Sequence, residues 1–177
     1  METALVSLVC IAVLIVGMVT VTFNAFQAAT TVSDSLREME QQAGEIRRTE
    51  ITLLPPTGKY GGGNMELRVR NDGQINLAQF SRWDVIAQYP VSGGAEYLDY
   101  LEYTEANPPG SNQWTVEGIY IITSSNPEVY DPNVLNPGEM MQIILNLDPG
   151  MDAKGLVARI TVSTPNGVTS QCLVERE

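Results

Sequence analysis

The chain has 177 residues, 44% of them hydrophobic, and its 21 acidic against 10 basic side chains leave a formal charge of −11. Such a surface repels phosphate, which excludes nucleic acid as a partner and disfavours anionic lipid headgroups. There is no histidine, no GxSxG, Walker-type loop or HExxH pattern, and no paired acid and base among the scattered carboxylates, so neither an enzyme nor a cofactor is expected.

Residues 1–50 lack proline and contain only Gly17 and Gly44, whereas residues 55–177 hold all ten prolines and thirteen of the fifteen glycines. That shift divides the chain into an N-terminal helix, 1–50, and a turn-rich domain, 51–177. No charge falls between Thr3 and Ser33, and residues 3–26 are apolar on every side. A helix of that kind must be buried all round or sit in lipid. Its large side chains Leu5, Leu8, Val9, Ile11, Leu14, Ile15, Met18, Val21 and Phe23 are the candidates for assembly. Ser7, Thr20, Thr22 and Asn24 can bond to backbone or to neighbours. Residues 33–49 are amphipathic: Leu36, Met39, Ala43 and Ile46 recur at steps of three and four, a stripe suited to packing on one neighbour. A helix over both parts is roughly 70 Å long, well beyond a hydrocarbon core of ~30 Å.

After Glu50 the pattern is short and alternating. In NMELRVRN, Met65, Leu67 and Val69 share a face; so do Ile143, Leu145 and Leu147, and Ala158, Ile160 and Val162. Further strands are expected at Arg82–Tyr89, Glu96–Tyr103, Trp114–Thr123 and Val168–Val174. Turn signals separate them, among them Asn71-Asp72-Gly73, Ser92-Gly93-Gly94, Asn136-Pro137-Gly138 and Pro165-Asn166-Gly167, with Asn166 and Gly167 both suited to positive φ. The fold class is α+β: a long N-terminal hydrophobic helix followed by an antiparallel immunoglobulin-like β-sandwich.

The opening run has three readings. A secretory signal peptide needs a basic start and a shorter apolar core, and Met1-Glu2 supplies no cation. A membrane anchor fits the length. A polymerisation helix also fits, because a helix apolar all round can exchange lipid for identical neighbours while the heads coat the outside.

This layout resembles the archaellins, subunits of the archaeal-type rotary swimming filament, within the type IV pilin-like group. The resemblance rests on the apolar run Leu5–Val21 and on the segments VRNDGQINL (69–77), LNPGEMMQIIL (135–145) and ITVSTPNGVTSQC (160–172). It implies a structural subunit of an extracellular filament, held in the cytoplasmic membrane before assembly. Its implied partners are copies of itself, a second filament subunit type, a membrane platform and a prepilin-type peptidase cutting immediately before Met1. Bacterial type IV pilins carry glutamate at the fifth mature position; Leu5 stands there and points to the archaeal-type branch. The alternatives are an adhesive pilin-like subunit, a membrane-tethered β-sandwich binding module, or an accessory archaellum protein. No asparagine begins an N-x-Ser/Thr sequon, so a glycan would be O-linked.

Smaller signals remain. Glu128 and Asp131 in one loop, and Asp148 and Asp152 in another, are candidate Ca²⁺ ligands without the spacing of an EF-hand. Tyr97, Tyr100 and Tyr103 among acids suggest either a contact surface or an edge strand. Trp83 and Trp114 are expected in the core. Cys10 and Cys172, one at each end, are expected as unpaired small hydrophobes.

Overall fold

The computed structural model describes residues 2–55, 64–91, 93–122, 126–151 and 153–176, without the side chains of Glu2, Ala4 and Leu5. Two compact units divide the chain, Met1–Gly44 and Glu45–Glu177. The first is helix alone. Helix α1 (Glu2–Arg48) runs unbroken across 47 residues, as a proline-free sequence permits. Arg47 and Arg48 close its last turn, where the helix dipole favours cations. Leu36, Met39 and Ala43 of the amphipathic stripe are exposed in the single chain.

The second unit holds eight strands: β1 (Ile51–Leu54), β2 (Asn64–Asn71), β3 (Asp84–Pro90), β4 (Glu96–Tyr103), β5 (Gln113–Ile121), β6 (Glu139–Asn146), β7 (Val157–Ser163) and β8 (Thr169–Glu175). Their spatial order is β1-β2-β6-β5-β4-β3-β7-β8. Two antiparallel layers, β1-β2-β6-β5 and β4-β3-β7-β8, meet through a short parallel pairing of Glu102 with Gln113 and Tyr103 with Trp114. There the chain crosses between layers instead of turning back as a hairpin. At the far edges the Leu53 N–H donates to Ser170 Oγ at 3.0 Å, drawing β1 against β8. The expected sandwich is therefore rolled toward a barrel and carries one parallel contact.

The alternation reads correctly in space. Met65, Leu67, Val69, Ile143, Leu145, Ala158, Ile160 and Val162 all point into one core, the outcome that period-two patterning of a half-buried sheet requires. Trp83 and Trp114 are buried within it. The Trp83 indole N–H donates to the Ala78 carbonyl at 3.1 Å and its ring meets Phe80 edge-on at 5.5 Å. Trp114 meets Tyr103 edge-on at 5.0 Å. Both thiols are free; Cys172 is half-buried, and burial pushes it up to about 11, whereas Cys10 is exposed on α1 and not buried in the single chain.

Candidate assembly site

The predicted assembly residues lie on α1 as one continuous apolar surface. Leu8, Val9, Ile11, Leu14, Ile15, Met18, Val21 and Phe23 are exposed, from 51% at Val9 to 76% at Met18. Leu5 is helical in backbone, and its side chain lies outside the described residues. Ala12, small among Leu8, Val9, Val13 and Val16, leaves a shallow apolar notch between them, a shape that receives a side chain from a neighbouring helix. Nothing lies within 4 Å of the Cβ position of Gly17, so that face is also open to close helix approach. The hydroxyls of Thr20 and Thr22 donate to the carbonyls of Val16 and Met18, each at 2.8 Å. These bonds satisfy the hydroxyls within the helix itself, which suits a surface that must be dry.

Where α1 ends, two loops of the second unit bond to the chain leaving it, and a third braces one of those loops. The Thr49 hydroxyl donates to the Glu45 carbonyl at 2.8 Å and accepts from the Asn166 amide at 2.6 Å. The Arg48 carbonyl is among those a helix end leaves without an intrahelical donor, and it accepts from the Gln74 N–H at 2.8 Å. The Glu50 carbonyl takes the N–H groups of Asp72 and Gly73. Asn71 is fully buried and donates to the carbonyls of Ile75 and Leu135, both at 2.9 Å. Its Oδ1 accepts from the Gly73 N–H at 3.0 Å, and its own carbonyl accepts from Gly138 at 2.9 Å. A Cβ on Gly73 would stand 2.5 Å from the Arg48 oxygen and 2.6 Å from the Glu50 nitrogen; only glycine lets these backbones meet.

Turns in the segments 69–77 and 160–172 thus meet at the exit of the helix, and the turn opening 135–145 is bonded to the first of them. The sequence shows them as strands and turns, without that meeting point. The partners of Asn71 and Asn166 lie 64 and 117 positions away, beyond the reach of any local signal. One detail of the turns differs from expectation. Gly167 alone has positive φ, +85°, because the Asn166 side chain is committed to Thr49 while its backbone stays out of the left-handed region. Beside this junction Arg70 pairs with Asp72 at 2.6 Å, and the Thr52 hydroxyl also donates to Asp72. Burial opposes that charge, but the Thr52 hydrogen bond and the hydrogen bond and charge of Arg70 outweigh it. Together they hold the carboxyl below its ordinary value.

The candidate cation ligands are placed apart from this junction. The Glu128 carboxylate accepts from the N–H groups of Val129 and Tyr130 at 3.0 and 2.7 Å. The Asp148 backbone is clasped by Asn112, whose amide donates to its carbonyl at 3.0 Å. Asp131 is exposed, and Asp152 lies outside the described residues. No group of three or more acidic or thiol side chains gathers among the described residues. In β4, Leu101 is buried while Leu98 and Tyr100 are exposed. Residues 96–101 of the strand pair only with β3, and only Glu102 and Tyr103 pair with β5, so over most of its length β4 has one ladder partner, as an edge strand does.

No protein-family model and no curated protein matches this sequence. Solved structures do. The archaeal flagellum of Methanospirillum hungatei strain JF1 superposes with a TM-score of 0.56 at 11% identity, over 97% of this chain and 91% of that one. Archaeal flagellin FlaB1 from Methanocaldococcus jannaschii gives 0.55 at 11% identity, over 72% and 90%. The archaellum periplasmic stator protein FlaG from Sulfolobus acidocaldarius gives 0.47 at 18% identity, over 71% and 98%. The first two show that the chain has the fold of these archaeal flagellins, the first of them over nearly its whole length.

Proposed function

We propose that this chain is the structural subunit of an extracellular helical filament of the archaellum type, serving swimming motility and performing no catalysis. Residues 1–50 are the assembly helix, and residues 51–177 are the head that coats the filament. The observation that carries this reading is that α1 exposes apolar side chains around its whole circumference over residues 6–26 and runs without a break into the head. A single membrane anchor needs about twenty such residues and then commonly a linker; a filament core needs a helix rigidly continuous with what it carries. Before assembly the same surface rests in the cytoplasmic membrane, where lipid covers it as neighbours later do. The membrane platform and prepilin-type peptidase belong to that stage. The fold shared with archaeal flagellin FlaB1 and with the Methanospirillum hungatei flagellum supports the reading.

Removing residues 1–25 is expected to yield a soluble monomeric head. The intact chain, purified in detergent and then freed of it, is expected to form long fibres visible by electron microscopy. Fibres from the truncated chain would refute the proposed role of the helix. A full-length chain that stays with lipid and never polymerises would make it a tether instead.

A further inference from the structure

Two surfaces of the head are unaccounted for by the helix. One is a knob in the loop between β5 and β6. Val129 is 77% exposed and Tyr130 93% exposed, side by side in sequence. The knob is nevertheless ordered from within: the Glu128 carboxylate accepts from both of their N–H groups, and the Asp131 carbonyl accepts from the Val134 N–H at 3.0 Å. The backbone beneath the valine and the tyrosine is therefore ordered before any docking, which lowers the loop-ordering entropy lost when they dock.

The second surface is the outer face of β4-β3-β7-β8. Strand register sets Leu98, Gln88, Arg159 and Leu173 in one row and Tyr100 beside Ile86 in the next. Leu98, Tyr100, Leu173 and Ile86 are exposed, and the Tyr100 hydroxyl is pinned to Asp84 at 3.0 Å. A shallow groove of about 330 Å³ opens along this face beside Arg159, Val157 and Leu173, with Glu96 at its rim. Arg159 makes no ion pair among the described residues. Val157, Leu173 and Pro90 give this mixed groove its apolar part and Arg159 its cation, which complements an apolar knob followed directly by the carboxylate of Asp131.

We propose that the Val129–Tyr130 knob of one head docks on the β4-β3-β7-β8 face of a second copy, with Asp131 pairing to Arg159 across the contact. Knob and face are different patches, so the contact can repeat head to tail from copy to copy; where that rotation does not close, it propagates as an open array, the geometry that a filament sleeve requires. The inference rests on the filament reading and names the surfaces by which its heads meet.

The test uses full-length chains and the critical concentration for fibre formation. Tyr130→Ala is expected to raise it about tenfold or more, as loss of an aromatic anchor at an interface does. Asp131→Arg and Arg159→Asp should each weaken assembly, and the double exchange should restore it toward wild type. Thermal unfolding of each variant should match wild type, because these side chains are exposed. Fibres forming from all the single variants at the wild-type concentration would overturn the docking contact and leave the helix-driven filament standing. If the charge exchange shows no rescue, the Asp131–Arg159 pairing is wrong. A wild-type chain that forms no fibres under any condition overturns both readings.

Discussion

A buried asparagine that spends its whole amide on backbone groups is difficult to replace, and Asn71 is such a residue. It ties the turn after β2 to the loop before β6, directly beneath the end of α1. Asn71→Ala takes from the Ile75 carbonyl its side-chain donor and leaves the Leu135 carbonyl and the Gly73 N–H with one backbone partner each, from Leu77 and Glu50, at a cost of roughly 1–3 kcal/mol. Gly73→Ala forces backbone apart at Arg48 and Glu50 and should cost about 2 kcal/mol. Chemical denaturation of residues 26–177 measures both; unchanged midpoints would show that the junction adds no stability. Asp72 makes a smaller, pH-dependent contribution. Its folded pKa lies below the ordinary value of 3.8, so its stabilisation is complete above that value and is lost as the pH falls through it and below. The pair is partly exposed, which limits the effect to about 1 kcal/mol or less. Asp72→Asn should therefore lower stability slightly at neutral pH and flatten its decline in acid. Residues of this kind were only half legible in the sequence. The glycine of Asn-Asp-Gly announces a turn, but its close approach to Arg48 depends on where the helix end is brought by folding.

Elements were more legible than residues wherever periodicity persisted. The alternation of β2, β6 and β7 predicted the buried face residue by residue, because one hydrophobic core imposes period two on every strand that lines it. Strand β1 escaped notice: Ile51–Leu54 is four residues long, too short to display a period. The turn Phe80–Arg82 was missed too, because it starts from Gln79 at φ +55°, a conformation for which glutamine gives no warning. For α1 the composition sufficed, since nothing interrupts it from Glu2 to Arg48. Its apolar surface predicts a clean separation of folding from assembly. Leu14→Asp or Met18→Lys places a charge where packed helices leave no water, and either should abolish fibres. Both positions are exposed in the single chain, so the unfolding midpoint of the head should move by no more than about 0.5 kcal/mol. A variant that still polymerises would exclude that stretch from the filament core.

At the scale of the molecule, the chain carries one helix of exposed apolar side chains, α1, and one eight-stranded domain with its own buried core. The bonds of Gln74 to Arg48 and of Asn166 to Thr49 tie the end of the helix to two loops of the sheet domain. The central claim is that the apolar surface of α1 is buried among copies of itself, and Cys10 reports on it. This thiol lies in the middle of that surface, exposed in the single chain; Cys172, the other thiol, is told apart by peptide mapping. Fibres sheared from cells and washed free of lipid should be treated with a water-soluble maleimide, before and after dissociation in denaturant. The account predicts that Cys10 stays unmodified in intact fibres and reacts fully once they are dissociated. Modification of Cys10 in intact fibres at the rate seen in denaturant would contradict it.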